Sequence, residues 1–162
     1  MRIIALFFIV MLLFLTACGS GAGSTTMTLP TVWEAQPPTQ VAATQLVLLA
    51  EAQTALGITL AEVQQGQGDD TVRFLTAKGD AVLSVYAEAV TRDYYDAVVA
   101  IYPDAVETSN LGEAAIWGNA QRELMVYASG HLLSVTILTQ SLGEDRALTA
   151  ARQVAAAALP RL

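Results

Sequence analysis

The sequence of 162 residues is poor in the side chains that most often build metal and redox sites. It has one cysteine, Cys18, so no disulfide can form within the chain. It has one histidine, His131, whereas zinc sites need several cysteine or histidine ligands. The acidic pair Asp69 and Asp70 lacks the alternating oxygen ligands of a calcium loop. We therefore expect no metal site and no cofactor.

Basic side chains are also scarce. The chain has 8 lysines and arginines against 15 aspartates and glutamates, and its formal net charge is −7. Binding to nucleic acid, or electrostatic docking on anionic lipid, requires clustered positive charge. The composition therefore argues against a nucleic-acid partner. The length and the content of Ala, Val and Leu favour one folded domain of ordinary size.

The first 17 residues have the pattern of a cleaved signal peptide. Arg2 supplies a positive charge, and residues 3–15 form an apolar run that is shorter than the roughly 20 residues needed to cross a bilayer. The run ends in Leu15-Thr16-Ala17-Cys18, which resembles the lipobox of bacterial lipoproteins. The resemblance implies that the chain is cut before Cys18 and that this cysteine is acylated, for example with palmitate. It also implies a cell-membrane location on the extracytoplasmic side, with the membrane as a partner through Cys18.

Residues 18–40 are expected to be a flexible tether, and residues 41–162 a single α+β domain. The tether is rich in Gly, Ser, Thr and Pro and shows no sustained period. In the domain, apolar periodicity predicts a helix ending at Gly57, a hairpin over 71–77 and 81–90, and a helix capped by Thr91. A short strand at 58–62, a segment at 114–117, strands over 121–128 and 131–139, and a helix over 143–159 complete the pattern. Ser141 and Glu144 have the spacing of a capping box for the last helix.

These elements predict an antiparallel sheet of about five to six strands with helices packed on one face. A shift of about 50 residues superposes hairpin on hairpin and helix on helix, which indicates a possible internal ββα duplication. Chance similarity between two hairpin–helix units made of Ala, Val and Leu explains the match equally well.

Strand alternation separates an aliphatic face of the sheet from a mixed one. The aliphatic face is expected to be the core, under the second and third helices. The mixed face carries Tyr86, Met125 and Tyr127, which are predicted to lie close together as a surface for a ligand or a partner. The alternative is that the first helix covers part of this face and water covers the rest.

Residues 110–117 and the C-terminal Leu159-Pro160-Arg161-Leu162 resemble small single-domain lipoproteins of the cell envelope. The resemblance implies an α+β domain, related in some cases to extracellular sensor domains, and supplies no catalytic residue. We expect a non-catalytic domain that binds an envelope protein or a small amphipathic ligand. The alternatives are an envelope hydrolase that uses His131, which follows a hairpin turn, and a purely structural lipoprotein.

Overall fold

The computed structural model describes residues 39–66 and 68–162, which form one antiparallel sheet of seven strands and three α-helices. The signal peptide, Cys18 and the tether up to residue 38 lie outside the described residues. The helices are α1 (Leu49–Leu56), α2 (Arg92–Val99) and α3 (Glu144–Ala158). The strands are β1 (Glu62–Gln65), β2 (Thr71–Leu75), β3 (Ala81–Ala89), β4 (Ala105–Glu107), β5 (Ala114–Gly118), β6 (Glu123–Ala128) and β7 (His131–Ile137). Short 3₁₀ turns occupy Ala43–Gln45 and Leu159–Arg161.

The strands lie in the order β1-β2-β3-β7-β6-β5-β4, so β3 and β7 are central and β1 and β4 are the edges. Val85 of β3 pairs with Val135 of β7, and these residues are fifty positions apart in the sequence. Strands β1 to β3 form one meander and β4 to β7 form another, and each meander ends in a central strand. The repeated element order is therefore present in the sheet, while descent from a duplicated segment stays a prediction.

The predicted α+β class and the antiparallel sheet are confirmed, with seven strands in place of five to six. The additional strand is β4, whose three residues are too few to give a pattern in the sequence. The strand predicted at 58–62 lies later, at Glu62–Gln65, where it pairs with β2 in a fully exposed edge position. The polar residues of β1 suit a solvent-exposed edge strand, and in the sequence alone they have the composition of a loop.

The sequence predicts the residue that ends α1 and the residue that caps the start of α2, but not the residue that caps the start of α3. Gly57 ends α1 with a φ of +64°, a conformation that glycine adopts without strain. Thr91 begins α2, since its hydroxyl accepts a hydrogen bond from the Tyr94 backbone N–H at 3.2 Å. The predicted capping box of α3 is wrong, because Gly143 and not Ser141 precedes the first turn. In the part of the chain that the structure describes, no helix is both long and apolar enough to cross a membrane.

The aliphatic face of the sheet is the main core, as predicted, but it lies under α1 and α3. Six residues of α3 are buried, and five of them are alanines. Because these side chains are small, the helix lies close to the sheet. The strand residues of this face are almost free of solvent contact: Val72, Phe74, Leu83, Val85, Leu124, Val126, Leu133, Val135 and Ile137.

α2 packs on part of the mixed face, which corrects the expected arrangement with helices on one face only. Tyr95 of α2 packs with Ile116, Met125, Tyr127 and Leu132 in a second apolar cluster. The helix periodicity shows that α2 has an apolar side, but does not indicate which face of the sheet it contacts. The short connection from β3 to α2 places the helix on this second face.

Candidate functional site

A cleft of about 570 Å³ opens between α2 and the chain that runs from β4 into β5. Its volume lies within the range of small-molecule pockets. Its walls combine apolar side chains with acidic, basic and hydroxyl groups: Arg92, Tyr95, Asp96, Val99, Glu107, Thr108, Ser109, Glu113, Ala114, Ala115 and Ile116. The cleft therefore adjoins the second apolar cluster and offers both apolar and polar contacts.

The segment between β4 and β5 is held in place by backbone hydrogen bonds. The Thr108 N–H donates to the Ala115 carbonyl at 2.9 Å, and the Glu113 N–H donates to the Tyr127 carbonyl at 2.8 Å. Between them, Gly112 has a φ of +58° and passes so close to β6 that a Cβ atom would lie 2.5 Å from the Tyr127 carbonyl oxygen. This wall of the cleft is thus packed directly on the sheet.

Tyr95 is the central residue of the site. It is 2 % exposed, and its hydroxyl is buried without a hydrogen-bond partner among the described residues. An unpaired buried hydroxyl costs free energy, so such groups are rare in folded proteins. Burial raises the pKa of Tyr95 to about 12; the charges of Asp96 and Glu107 act in the same direction and Arg92 opposes them. The hydroxyl is therefore protonated at neutral pH, so it can both donate and accept a hydrogen bond.

Arg92 lies over two aromatic rings, that of the cleft residue Tyr95 and that of its neighbour Tyr127. Its guanidinium carbon is 5.5 Å from the ring centroids of both Tyr95 and Tyr127, within the range of cation–π attraction. Its Nε atom donates to Asp96 Oδ1 at 2.9 Å, one turn along α2. Both side chains of this pair are about half exposed. The pairing with Asp96 fits the sequence spacing, but the contact with the rings depends on the tertiary fold.

Farther along the same face of the sheet, one glutamate accepts hydrogen bonds from two hydroxyl groups. Glu123 accepts hydrogen bonds from the Tyr102 hydroxyl at 2.8 Å and from the Ser134 hydroxyl. Burial and the bond to Glu123 raise the pKa of Tyr102 to about 12. Tyr86 donates to Glu88, and burial followed by this bond raises the pKa of Tyr86 above its usual value. These tyrosines are satisfied within the protein, unlike Tyr95.

The three residues proposed from the sequence as a binding surface do share one face of the sheet. Tyr86 pairs with Ser134, which pairs in turn with Met125, and Tyr127 lies two residues along β6. However, Met125 is 1 % exposed and Tyr127 is 8 % exposed, because α2 covers them. Tyr86 packs at the border of the same cluster. Their side chains are thus parts of a core, and the accessible space lies beside them in the cleft.

The cleft residues do not stand out as a site in the sequence. Arg92 and Asp96 have the spacing of an ordinary solvent-exposed helix pair, which is how such a pattern is normally interpreted. Glu107 lies on the strand that the sequence does not predict. No signal in the sequence indicates that the Tyr95 hydroxyl lacks a partner, since that depends on which face α2 covers.

His131 occupies a structural position. It is 4 % exposed, and its ring nitrogens lie 3.0 Å from two backbone carbonyl oxygens, Nδ1 from Ser129 and Nε2 from Thr39. Next to it, Gln40 bonds through both amide atoms to β3, donating to the Ala87 carbonyl at 2.6 Å and accepting from the Ala89 N–H at 3.0 Å. Ordered contacts with the sheet therefore begin two residues before the predicted domain start at 41.

Within residues 39–66 and 68–162, no three His, Cys, Asp or Glu side chains are grouped so as to hold a metal ion. Comparisons of the chain with protein-family models, with curated proteins and with solved structures give no match. Function is therefore inferred from the residues themselves.

Proposed function

We propose that this chain is a membrane-anchored lipoprotein of the cell envelope whose domain binds a small amphipathic ligand without catalysing a reaction. The lipobox-like sequence that ends at Cys18 supports the anchor. The observation that supports binding is an open cleft lined by Tyr95, whose buried hydroxyl has no hydrogen-bond partner among the described residues. A ligand that supplied the missing hydrogen bond would remove the cost of leaving that group unpaired.

The neighbouring side chains favour a ligand that is partly apolar. Val99, Ala114 and Ile116 provide apolar contacts, while the carboxylates and hydroxyls among the lining residues would fix the orientation of a ligand. Around His131, by contrast, both ring nitrogens face backbone carbonyls. A hydrolase would need one of them to bond to a nucleophile and the other to an orienting carboxylate. No observation therefore favours the hydrolase over the binding domain.

The binding proposal is tested by a thermal-shift screen of amphipathic small molecules against the full-length protein in a mild non-ionic detergent. We expect ligands that raise the melting temperature of the wild type to have a smaller effect on Tyr95→Phe, which lacks the hydroxyl and keeps the ring. Tyr102→Phe is the matched control, because its hydroxyl already bonds to Glu123. A screen in which no compound distinguishes wild type from Tyr95→Phe contradicts binding at this cleft and leaves a purely structural lipoprotein.

The anchor is tested separately by metabolic labelling with a fatty-acid analogue. We expect Cys18→Ser to abolish incorporation and to release the protein from the membrane or leave it unprocessed. Incorporation that survives this substitution would overturn the lipoprotein assignment without affecting the cleft.

A further inference from the structure

The charges of the cleft indicate which kind of ligand it takes. Its walls carry three carboxylates, Asp96, Glu107 and Glu113, and among the described lining residues Arg92 is the one cation. Arg92 is paired with Asp96. Glu113 uses one oxygen, Oε1, to accept the Ser129 N–H at 2.9 Å. Two negative charges in the cleft are therefore not compensated by a cation from its own walls.

The base of the cleft already stabilises a positive group. The Arg92 guanidinium lies 5.5 Å from the centres of two tyrosine rings, whose faces are electron-rich. The ring centroids of Tyr95 and Tyr127 are 5.6 Å apart and the rings are tilted by 41°, so the two rings pack against each other. An organic cation that entered from solvent would meet Tyr95 and the same carboxylates, which line the cleft.

We infer that the ligand is a small amphipathic ammonium compound, whose charged end lies between Glu107, Glu113 and the Tyr95 hydroxyl and whose apolar part contacts Val99 and Ile116. This inference rests on the proposed function, that the cleft binds a ligand at all. An ammonium group donates up to three hydrogen bonds, which suits a set of walls with more acceptors than donors. The net charge of −7 attracts cations to the domain and repels organic anions.

Three probes on the same four-carbon chain separate charge from size: butylammonium, butan-1-ol and butyrate. Each is titrated into the full-length protein in non-ionic detergent and followed by NMR of ¹³C-labelled tyrosine, with the Tyr95 signals assigned from their loss in Tyr95→Phe. We expect butylammonium to shift these signals saturably and to bind at least tenfold more tightly than butan-1-ol. We expect no saturable shift with butyrate.

The matched variants are Glu107→Gln and Glu62→Gln, since both glutamates lie on exposed edge strands and only Glu107 lines the cleft. We expect Glu107→Gln to weaken butylammonium binding by three- to tenfold and Glu62→Gln to leave it unchanged. Arg92→Gln should tighten binding about threefold, because it removes a positive charge from the cleft and frees Asp96 from its ion pair. A variant that damaged only the packing of α2 would not increase affinity.

The outcomes distinguish this inference from the proposed function. If butyrate or butan-1-ol binds as tightly as butylammonium, the cleft binds ligands but the ammonium assignment is wrong. Equal effects of Glu107→Gln and Glu62→Gln, or weaker binding by Arg92→Gln, also overturn it. Displacement of butylammonium by millimolar calcium, with saturable calcium shifts of the same signals, would replace the organic cation with a metal ion. If the three probes and the wider screen all leave the Tyr95 signals unmoved, the proposed function fails as well.

Discussion

Helices pack on both faces of the sheet, but the two faces are built differently. On the face under α1 and α3, small residues dominate the helix: five alanines and Val154 are the buried residues of α3. On the face under α2, the buried residue of the helix is Tyr95, whose hydroxyl has no partner within residues 39–66 and 68–162. On the first face, small helix residues let the backbone of α3 approach the sheet closely, whereas on the second face one large aromatic side chain of α2 packs on an apolar cluster beside a charged cleft.

The difference suggests that one face of the sheet mainly stabilises the domain and the other mainly binds a ligand. Close packing without polar groups stabilises a fold and leaves no space for a ligand. Aromatic packing beside charged groups leaves a cleft and a hydroxyl without a partner among the described residues. Such packing contributes less to the stability of the ligand-free protein than close apolar packing does, but it leaves a place where a ligand can bind. Functional residues are accordingly expected under α2, and residues that mainly determine stability under α1 and α3.

Truncation of one buried side chain on each face is the strongest test of this comparison. Leu133, which is 0 % exposed, lies under α3, and Met125, which is 1 % exposed, lies under α2. We expect Leu133→Ala to lower the free energy of unfolding by about 4 kcal/mol and Met125→Ala by about 2 kcal/mol, because the eight-residue α2 can settle into the space. Urea denaturation of both variants measures the difference. Equal losses would mean that the faces are equally rigid.

Which residues lie on each face of the sheet is predicted correctly from the sequence. Which helix packs on each face is not. Alternation of side chains along β6 and β7 is enough to place Leu133 and Met125 on opposite faces, and the register of the sheet agrees. The position of α2 is not predictable in this way, because its apolar side would suit either face. The cleft depends on that position and on the short strand β4, so its residues emerge only from the tertiary fold.

A second test concerns the wall of the cleft at Gly112. We expect Gly112→Ala to destabilise the protein by about 2–3 kcal/mol, since the new methyl group would overlap the Tyr127 carbonyl and the Val126 side chain. Gly79→Ala is the matched control, because Gly79 also has a positive φ, +84°, but has open space around its Cβ position. Its cost should be about 1 kcal/mol, from backbone strain alone. Thermal unfolding compares the two, and similar losses would show that the wall is free to move away from the sheet.

His131 provides a smaller effect that separates stability from binding. The register places it on the same side of β7 as Leu133, away from α2, and its ring connects Thr39 to the turn at Ser129. We expect His131→Ala to cost about 1–2 kcal/mol, because a buried ring and its hydrogen bond to a backbone carbonyl are lost, and to leave ligand binding at the cleft and every other activity unchanged. Chemical denaturation and the butylammonium titration are measured on the same sample. Loss of a measurable turnover without loss of folding would revive the hydrolase.

The smallest expected effect is a pH dependence confined to the face under α1 and α3. Arg161, just after α3, donates to both carboxylate oxygens of Glu51 in the first turn of α1, at 2.6 and 2.7 Å. This pairing, with a hydrogen bond from the Leu48 N–H, lowers the pKa of Glu51 from 4.5 to about 2.

A carboxylate whose pKa is lower in the folded state stabilises the fold above its unfolded pKa and loses that contribution as the pH falls through the folded value. We therefore expect Glu51→Gln to be less stable than the wild type at pH 7, with the difference shrinking between about pH 5 and pH 2. The effect should be small because about a third of each side chain is exposed and solvent screens the pair. Asp96→Asn is the comparison on the other face, where the pair with Arg92 is more exposed. If the stability of Glu51→Gln instead followed that of the wild type at every pH, the α1–α3 contact would depend on apolar packing alone, and the two faces would differ in their shape and not in their charges.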